Sequence, residues 1–179
     1  MSAVKIEAFT FEYSELQDRV RLSGNVYNTG IEIHLWLTRR LALRLLESAV
    51  DLIEKTSAVI AQTPVDHRAA MALFEHESAR LLTENLIETT SKMVGAASDS
   101  SLKINSIEVI NRLDISFKDK KYKLSFFVPS QDQVIATAIV DYNQLHQILS
   151  LIHKGTKALD WGAPEQLFAV PQQLVVTLQ

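Results

Sequence analysis

Cysteine is absent from the 179-residue chain. That excludes disulfides, thiolate metal sites and a cysteine nucleophile together. No apolar run reaches the ~18–20 residues that a bilayer-spanning helix needs. The best candidate, around Leu41, is broken by Arg44 and Glu47. The opening residues, MSAVKIEAFTFE, lack a basic stretch followed by an apolar one, so no signal peptide is expected. Excess basic charge is missing too. A net charge of −3 argues against a nucleic-acid-coating protein while leaving room for a local basic patch. There is no glycine-rich phosphate loop, no HExxH and no GxSxG. What is present is ordinary for a soluble globular protein: 47% hydrophobic and 22% charged residues. The length suits one good core, or two small ones sharing an interface. The expectation is a cytoplasmic protein with no membrane span and no cofactor.

The sharpest local pattern is Ile31 to Leu46, where a strand period becomes a helix period. Ile31, Ile33, Leu35 and Leu37 alternate, with Glu32, His34 and Trp36 on the outer face. From Leu41 the apolar residues fall at Leu45, Ala49 and Leu52, and Thr38 stands where an N-cap belongs. This predicts one helix from Thr38 to Gln62, ended by Thr63-Pro64. Its apolar arc covers about half the circumference, enough for two packing partners. A second helix is predicted from Asp66, as N-cap, to Met93. Its narrower apolar stripe is Met71, Phe74, Leu81, Leu82 and Leu86, with Ala79 at the margin.

Before this region, Val4 to Tyr13 reads as one strand. Val20, Leu22, Gly24 and Val26 alternate with Arg19, Arg21, Ser23 and Asn25 as another, and Asn28-Thr29-Gly30 reads as a hairpin turn. The segment 95–101, GAASDSS, is a linker by composition. Beyond it, Ile107, Val109, Leu113, Ile115 and Phe117 alternate, Asp119-Lys120 turns the chain, and Tyr122 to Val128 returns. Val134 to Val140 is apolar on both faces and reads as a central strand. Asp141 caps a helix carrying Leu145, Ile148, Leu149 and Ile152. DWGAP at 160–164 is a loop, and Leu174 to Leu178 a last strand.

The same order therefore occurs twice, strands followed by a capped helix. The expected class is α+β, a mainly antiparallel sheet from two β-β-β-α units with a long helical hairpin after the first. The organisation expected is 1–94, a linker at 95–101, and 102–179, with the halves packing as one unit.

Four clusters carry chemistry. Arg39, Arg40 and Arg44 near a helix N-terminus could hold an anion. The plainer reading, preferred here, is that Arg40 and Arg44 belong to a solvated stripe and pair with Glu47 or Asp51, while Arg39 lies over the sheet edge. Lys118, Lys120, Lys121 and Lys123 surround Tyr122, with Phe127 on the lysine face beyond, a pattern compatible with single-stranded nucleic acid. A solvated hairpin is again the plainer reading. The histidines His34, His67, His76, His146 and His153 show no metal-ligand spacing, and Glu75/Glu77 and Glu84/Glu88 are pairs that surface helices produce routinely. Finally, Met71, Phe74, Leu81 and Asn85 form a seam suited to a second copy of the chain. The functional expectation is a non-catalytic, self-associating interaction module, a dimer, with a further protein partner open. A nucleic-acid-binding protein is the alternative, not favoured, and an enzyme with a dispersed site comes third.

Overall fold

The computed structural model describes residues 3–26, 31–91, 107–129 and 131–168, the side chains of 83–91 and 131–132 excepted. The class is α+β, with two four-stranded sheets and four α-helices among the described residues. One sheet has the order β2 (Phe9–Ser14), β3 (Arg19–Gly24), β4 (Ile33–Leu37), β5 (Glu108–Val109). The other has the order β1 (Val4–Ile6), β8 (Gln131–Val140), β7 (Lys121–Val128), β6 (Arg112–Lys118).

Both sheets are mixed, which corrects the mainly antiparallel expectation. Pairing is antiparallel within β2-β3-β4 and within β6-β7-β8. It is parallel where β1 joins β8 and where β5 joins β4. Short turns enforce antiparallel pairing, and these two partnerships have no turn between them. Each arises because the chain crosses between sheets. The strand expected over Val4 to Tyr13 breaks at Glu7-Ala8, and the one expected from Ile107 breaks at Ile110-Asn111. Asn25 holds the first crossing. Its side chain accepts from Glu7 N at 2.9 Å and donates to Lys5 O at 2.8 Å and Ile31 O at 3.1 Å. It is buried with φ 62°, a left-handed conformation that asparagine tolerates better than most residues.

At the β6-β7 hairpin the expected turn is present, with φ 51° at Asp119 and 60° at Lys120, the signature of a type I′ turn. β8 is central, between β1 and β7, as its two apolar faces require. The hairpin turn expected at Asn28-Thr29-Gly30, the 95–101 linker and the last strand at Leu174–Leu178 lie outside the described residues.

Thr38 caps α1 (Arg39–Thr56) by accepting from Leu41 N. Asp141 caps α4 (Tyr142–Ala158) with a full capping box to Gln144. The single helix expected to Gln62 is instead broken at Ser57, and α2 (Ala58–Gln62) follows as a separate turn. Asp66 is no N-cap. It lies in a 3₁₀ turn, Val65–His67, before α3 (Arg68–Ser91), which at 24 residues is about 36 Å long. Arg68 donates to Thr63 O and Ala61 O and so occupies carbonyls that the end of α2 leaves free.

One buried cluster includes side chains from both sheets and from α1 to α4. α4 packs against β2, β3 and β7, α1 against β6, and the two helices against each other. Their meeting with the strands is close. A Cβ on Gly155 would lie 2.5 Å from the Tyr13 ring, whose hydroxyl donates to Leu151 O at 2.8 Å. The loop at 160–164 is pinned by Trp161, fully buried, whose indole N–H donates to Asp18 at 2.5 Å.

Candidate functional site

Ser57 interrupts the helix that starts at Arg39, and a polar network is assembled on that break. Its extended backbone still donates to Ile53 O, while its hydroxyl accepts from Ile60 N at 3.2 Å and caps α2. The same hydroxyl donates to Glu75 Oε2 at 3.0 Å. Tyr142, the first residue of α4, donates to that oxygen at 2.5 Å. Thr56 gives its only proton to Leu52 O at 2.8 Å, so across the 2.6 Å contact the Tyr122 hydroxyl is the donor. Burial first, and then the hydrogen bond to Glu75, raise the Tyr142 phenol far above its ordinary range. Burial likewise raises Tyr122. Both phenols are therefore fixed hydrogen-bond donors near neutral pH.

These groups line a cleft of about 300 Å³, walled by Phe117, Tyr122, Tyr142, Ala58 and Val59, with Lys120 at its rim. Behind Tyr142, one helical turn on, lies His146, its ring 4.4 Å from the Tyr142 ring at 61°. His146 meets His76, the neighbour of Glu75, with Nδ1 to Nδ1 at 2.9 Å. Phe168 packs on both imidazoles, at 4.9 and 5.7 Å between centroids. Burial pushes His76 down to about 4 and His146 down to about 3. Two neutral rings sharing one hydrogen bond must be opposite tautomers. His146 Nε2 is buried with no partner. A bare lone pair there costs less than an orphaned N–H, which assigns the Nδ1 proton to His146 and the Nε2 proton to His76. Among the described residues no third His, Cys, Asp or Glu completes a metal-ligand set.

A second linked trio lies on the β3-β4 face. Ser23 Oγ is 2.8 Å from His34 Nδ1, and His34 Nε2 is 3.0 Å from Glu32. The order serine, histidine, carboxylate is that of a hydrolytic relay, but the ring nitrogens are exchanged, since in such a relay the serine meets Nε2 and the carboxylate Nδ1. Ser23 is also only 3% exposed, and its hydroxyl has no open side toward a substrate. The trio ties two strands together. His34 also corrects the expected outer face of β4, because that face is largely covered.

The clusters read from the sequence fare differently. Arg39, Arg40 and Arg44 are exposed, and none has an ion pair among the described residues, including the pairing expected with Glu47 or Asp51. The Arg39 guanidinium lies near Gly162, while Arg44 lines a separate groove over β6 with Leu113 and Ile115. Lys118, Lys120, Lys121 and Lys123 are exposed at the hairpin. The aromatics meant to accompany them are not: Tyr122 is 1% exposed, and Phe127 is buried beneath Arg112, 3.7 Å from its ring centre. Phe117 is the exposed ring of that hairpin.

On α3 the packed face is Ala72, His76 and Ala79, not the large apolar stripe. Phe74, Leu81 and Leu82 face outward, and Met71 is half-buried at the core edge. The side chain of Asn85 lies outside the described residues. The His76–His146 pair escaped sequence reading because its members are 70 residues apart. The available signal was His146 itself, set beside Leu145 and Leu149 on the buried arc of α4, where an imidazole demands a partner. No protein-family model matches the chain, and neither a curated protein nor a solved structure does.

Proposed function

We propose that the chain is a non-catalytic assembly module that pairs with a second copy of itself through the outer face of α3. One observation carries this. Phe74 is 69% and Leu81 53% exposed on a helix whose inner face is already packed. Seven residues apart, they share one face, as a two-helix seam requires. Leu82 beside them, 57% exposed, widens the same apolar surface. Small inner residues and large outer ones are the opposite of what a helix serving one core would carry. Among the described residues the one trio with a catalytic order, Ser23-His34-Glu32, is enclosed, which favours a structural part for it.

Sedimentation across a wide concentration range tests the reading. A dimer is expected, with F74E/L81E shifting it to monomer while the circular dichroism spectrum stays unchanged. A wild type that is monomeric at the highest concentration sinks it. The alternative, binding of single-stranded nucleic acid, has in its favour the exposed lysines and Phe117. It predicts retention on such a polymer at low salt that fades as salt rises.

The two-unit reading of the chain belongs here as well. In its support, each antiparallel trio leads into a capped helix, and β1 and β5 each pair with the last strand of the other trio.

A further inference from the structure

The geometry points to the cleft at the break between α1 and α2 as a binding site for a small organic ammonium group. This is independent of the pairing proposed for α3. Glu75 is held there by two donors, Ser57 and Tyr142, both on Oε2. Its Oε1 has no hydrogen-bond partner among the described residues. A carboxylate oriented through one oxygen presents the other, already aimed and without reorganisation, to a cation.

The walls suit the same guest. Phe117, exposed, and Tyr142, half-buried, line the cleft, with Tyr142 on the side nearest Glu75, while Tyr122 is buried and backs Phe117 at 4.8 Å between ring centres. Aromatic faces attract an ammonium group through the ring quadrupole, an attraction that a neutral group of the same shape lacks. A volume of about 300 Å³ accommodates a small metabolite. Lys120, exposed at the rim, disfavours a second positive charge, so the guest carries one ammonium and a neutral or anionic tail. The hydroxyls of Ser57, Thr56, Tyr122 and Tyr142 are already engaged with Glu75 or with one another. The free acceptor oxygen is what the cleft offers.

Choline is the probe, and 3,3-dimethylbutan-1-ol, its uncharged carbon analogue, the control. In NMR spectra of the full chain, choline is expected to move the ring signals of Phe117, Tyr122 and Tyr142 saturably. The indole signals of Trp36 and Trp161 should stay in place. The alcohol should bind at least about tenfold more weakly, and E75Q should weaken choline by about tenfold. F117A removes an exposed ring, leaves the core intact and should weaken choline by about threefold. The proposal is overturned if choline gives no saturable shift up to about 50 mM. Equal binding of the alcohol overturns it too, as does wild-type affinity in both E75Q and F117A.

Discussion

His76 and His146 share a single hydrogen bond, Nδ1 to Nδ1 at 2.9 Å, between helices α3 and α4. The bond needs one neutral ring to accept at Nδ1, so it is lost when both rings are protonated, and each protonation also places an imidazolium in a buried site. Burial holds His76 near 4 and His146 near 3, against an ordinary value of 6.5. The unfolded chain therefore binds more protons than the folded one between about pH 4 and 6.5, and stability rises with pH across that window. Above about pH 6.5 the full contribution is present.

At pH 5 the loss is roughly 2 kcal/mol for each histidine relative to pH 7.5. Urea unfolding at the two pH values measures it. H76L/H146L replaces both partners by apolar side chains of similar size, which can be nearly neutral at pH 7.5. The double variant should lose most of the pH dependence. A slope equal to that of the wild type would show that other groups govern the acid sensitivity.

Much of the fold was legible where a local signal coincided with a local structure. Thr38 and Asp141 cap helices, Asp119-Lys120 turns a hairpin, and the doubly apolar Val134 to Val140 is central. The crossings at Glu7-Ala8 and Ile110-Asn111 were not legible: the shift of apolar residues from Val4, Ile6 and Ala8 to Phe9, Phe11 and Tyr13 also fits one strand covered on both faces, and the alternation of Ile107 and Val109 resumes at Leu113 after a single polar residue, Asn111. Nor was the packed face of α3. Hydrophobicity marks Phe74 and Leu81 as core, yet Ala72 and Ala79 let the helix approach its neighbours closely. Ser57 gave no warning of its break, since the hydroxyl that stabilises it finds Glu75 eighteen residues on. The candidate cleft inherits that opacity: its walls come from the α1–α2 break, α3, α4 and a distant hairpin.

Asn25 is the residue on which the first sheet crossing turns, and two of its properties can be separated. N25G keeps the left-handed backbone at low cost but loses all three side-chain hydrogen bonds. N25A loses those bonds and also strains a backbone with φ 62°. Both variants should be destabilised, N25G by about 1–3 kcal/mol and N25A by about 1 kcal/mol more. Chemical denaturation of the three proteins gives the order directly. Equal stability of N25A and N25G would mean that the conformation carries no strain.

Gly155 lies inside α4, where alanine would ordinarily gain about 1 kcal/mol of helix stability. Here the added carbon would lie 2.5 and 2.6 Å from Tyr13 ring carbons and 3.0 Å from Val20. The Tyr13 ring cannot swing aside freely, because its hydroxyl is bound to Leu151 O. Overpacking should outweigh propensity, so G155A should destabilise by about 1–3 kcal/mol. In a Y13A background only the tight contact with Val20 remains, so G155A should lose most of its penalty. Thermal melting of the four proteins in this cycle decides the matter; an equally destabilising G155A in both backgrounds would place the obstruction elsewhere.

The two capped junctions predict unequal costs for the same substitution. Asp141 accepts from Gln144 N at 2.8 Å, and the Gln144 side chain returns a bond to Asp141 N at 2.9 Å, so two free N–H groups are occupied. Thr38 accepts one bond, from Leu41 N, at the long distance of 3.4 Å. Asp141 also sets its charge against the positive end of α4, whereas Arg39 and Arg40 follow Thr38 at a helix start that disfavours cations. D141A should therefore cost about 1–2 kcal/mol and T38A about 0.5 kcal/mol. R39E/R40E, by reversing the unfavourable charges, should stabilise by a few tenths to about 1 kcal/mol at low salt, with the gain shrinking as salt screens it. Urea titrations at two ionic strengths read all three effects. If R39E/R40E destabilises at low salt instead, the arginines hold a partner that their exposed positions do not reveal, and the anion-binding reading of this helix start regains its ground.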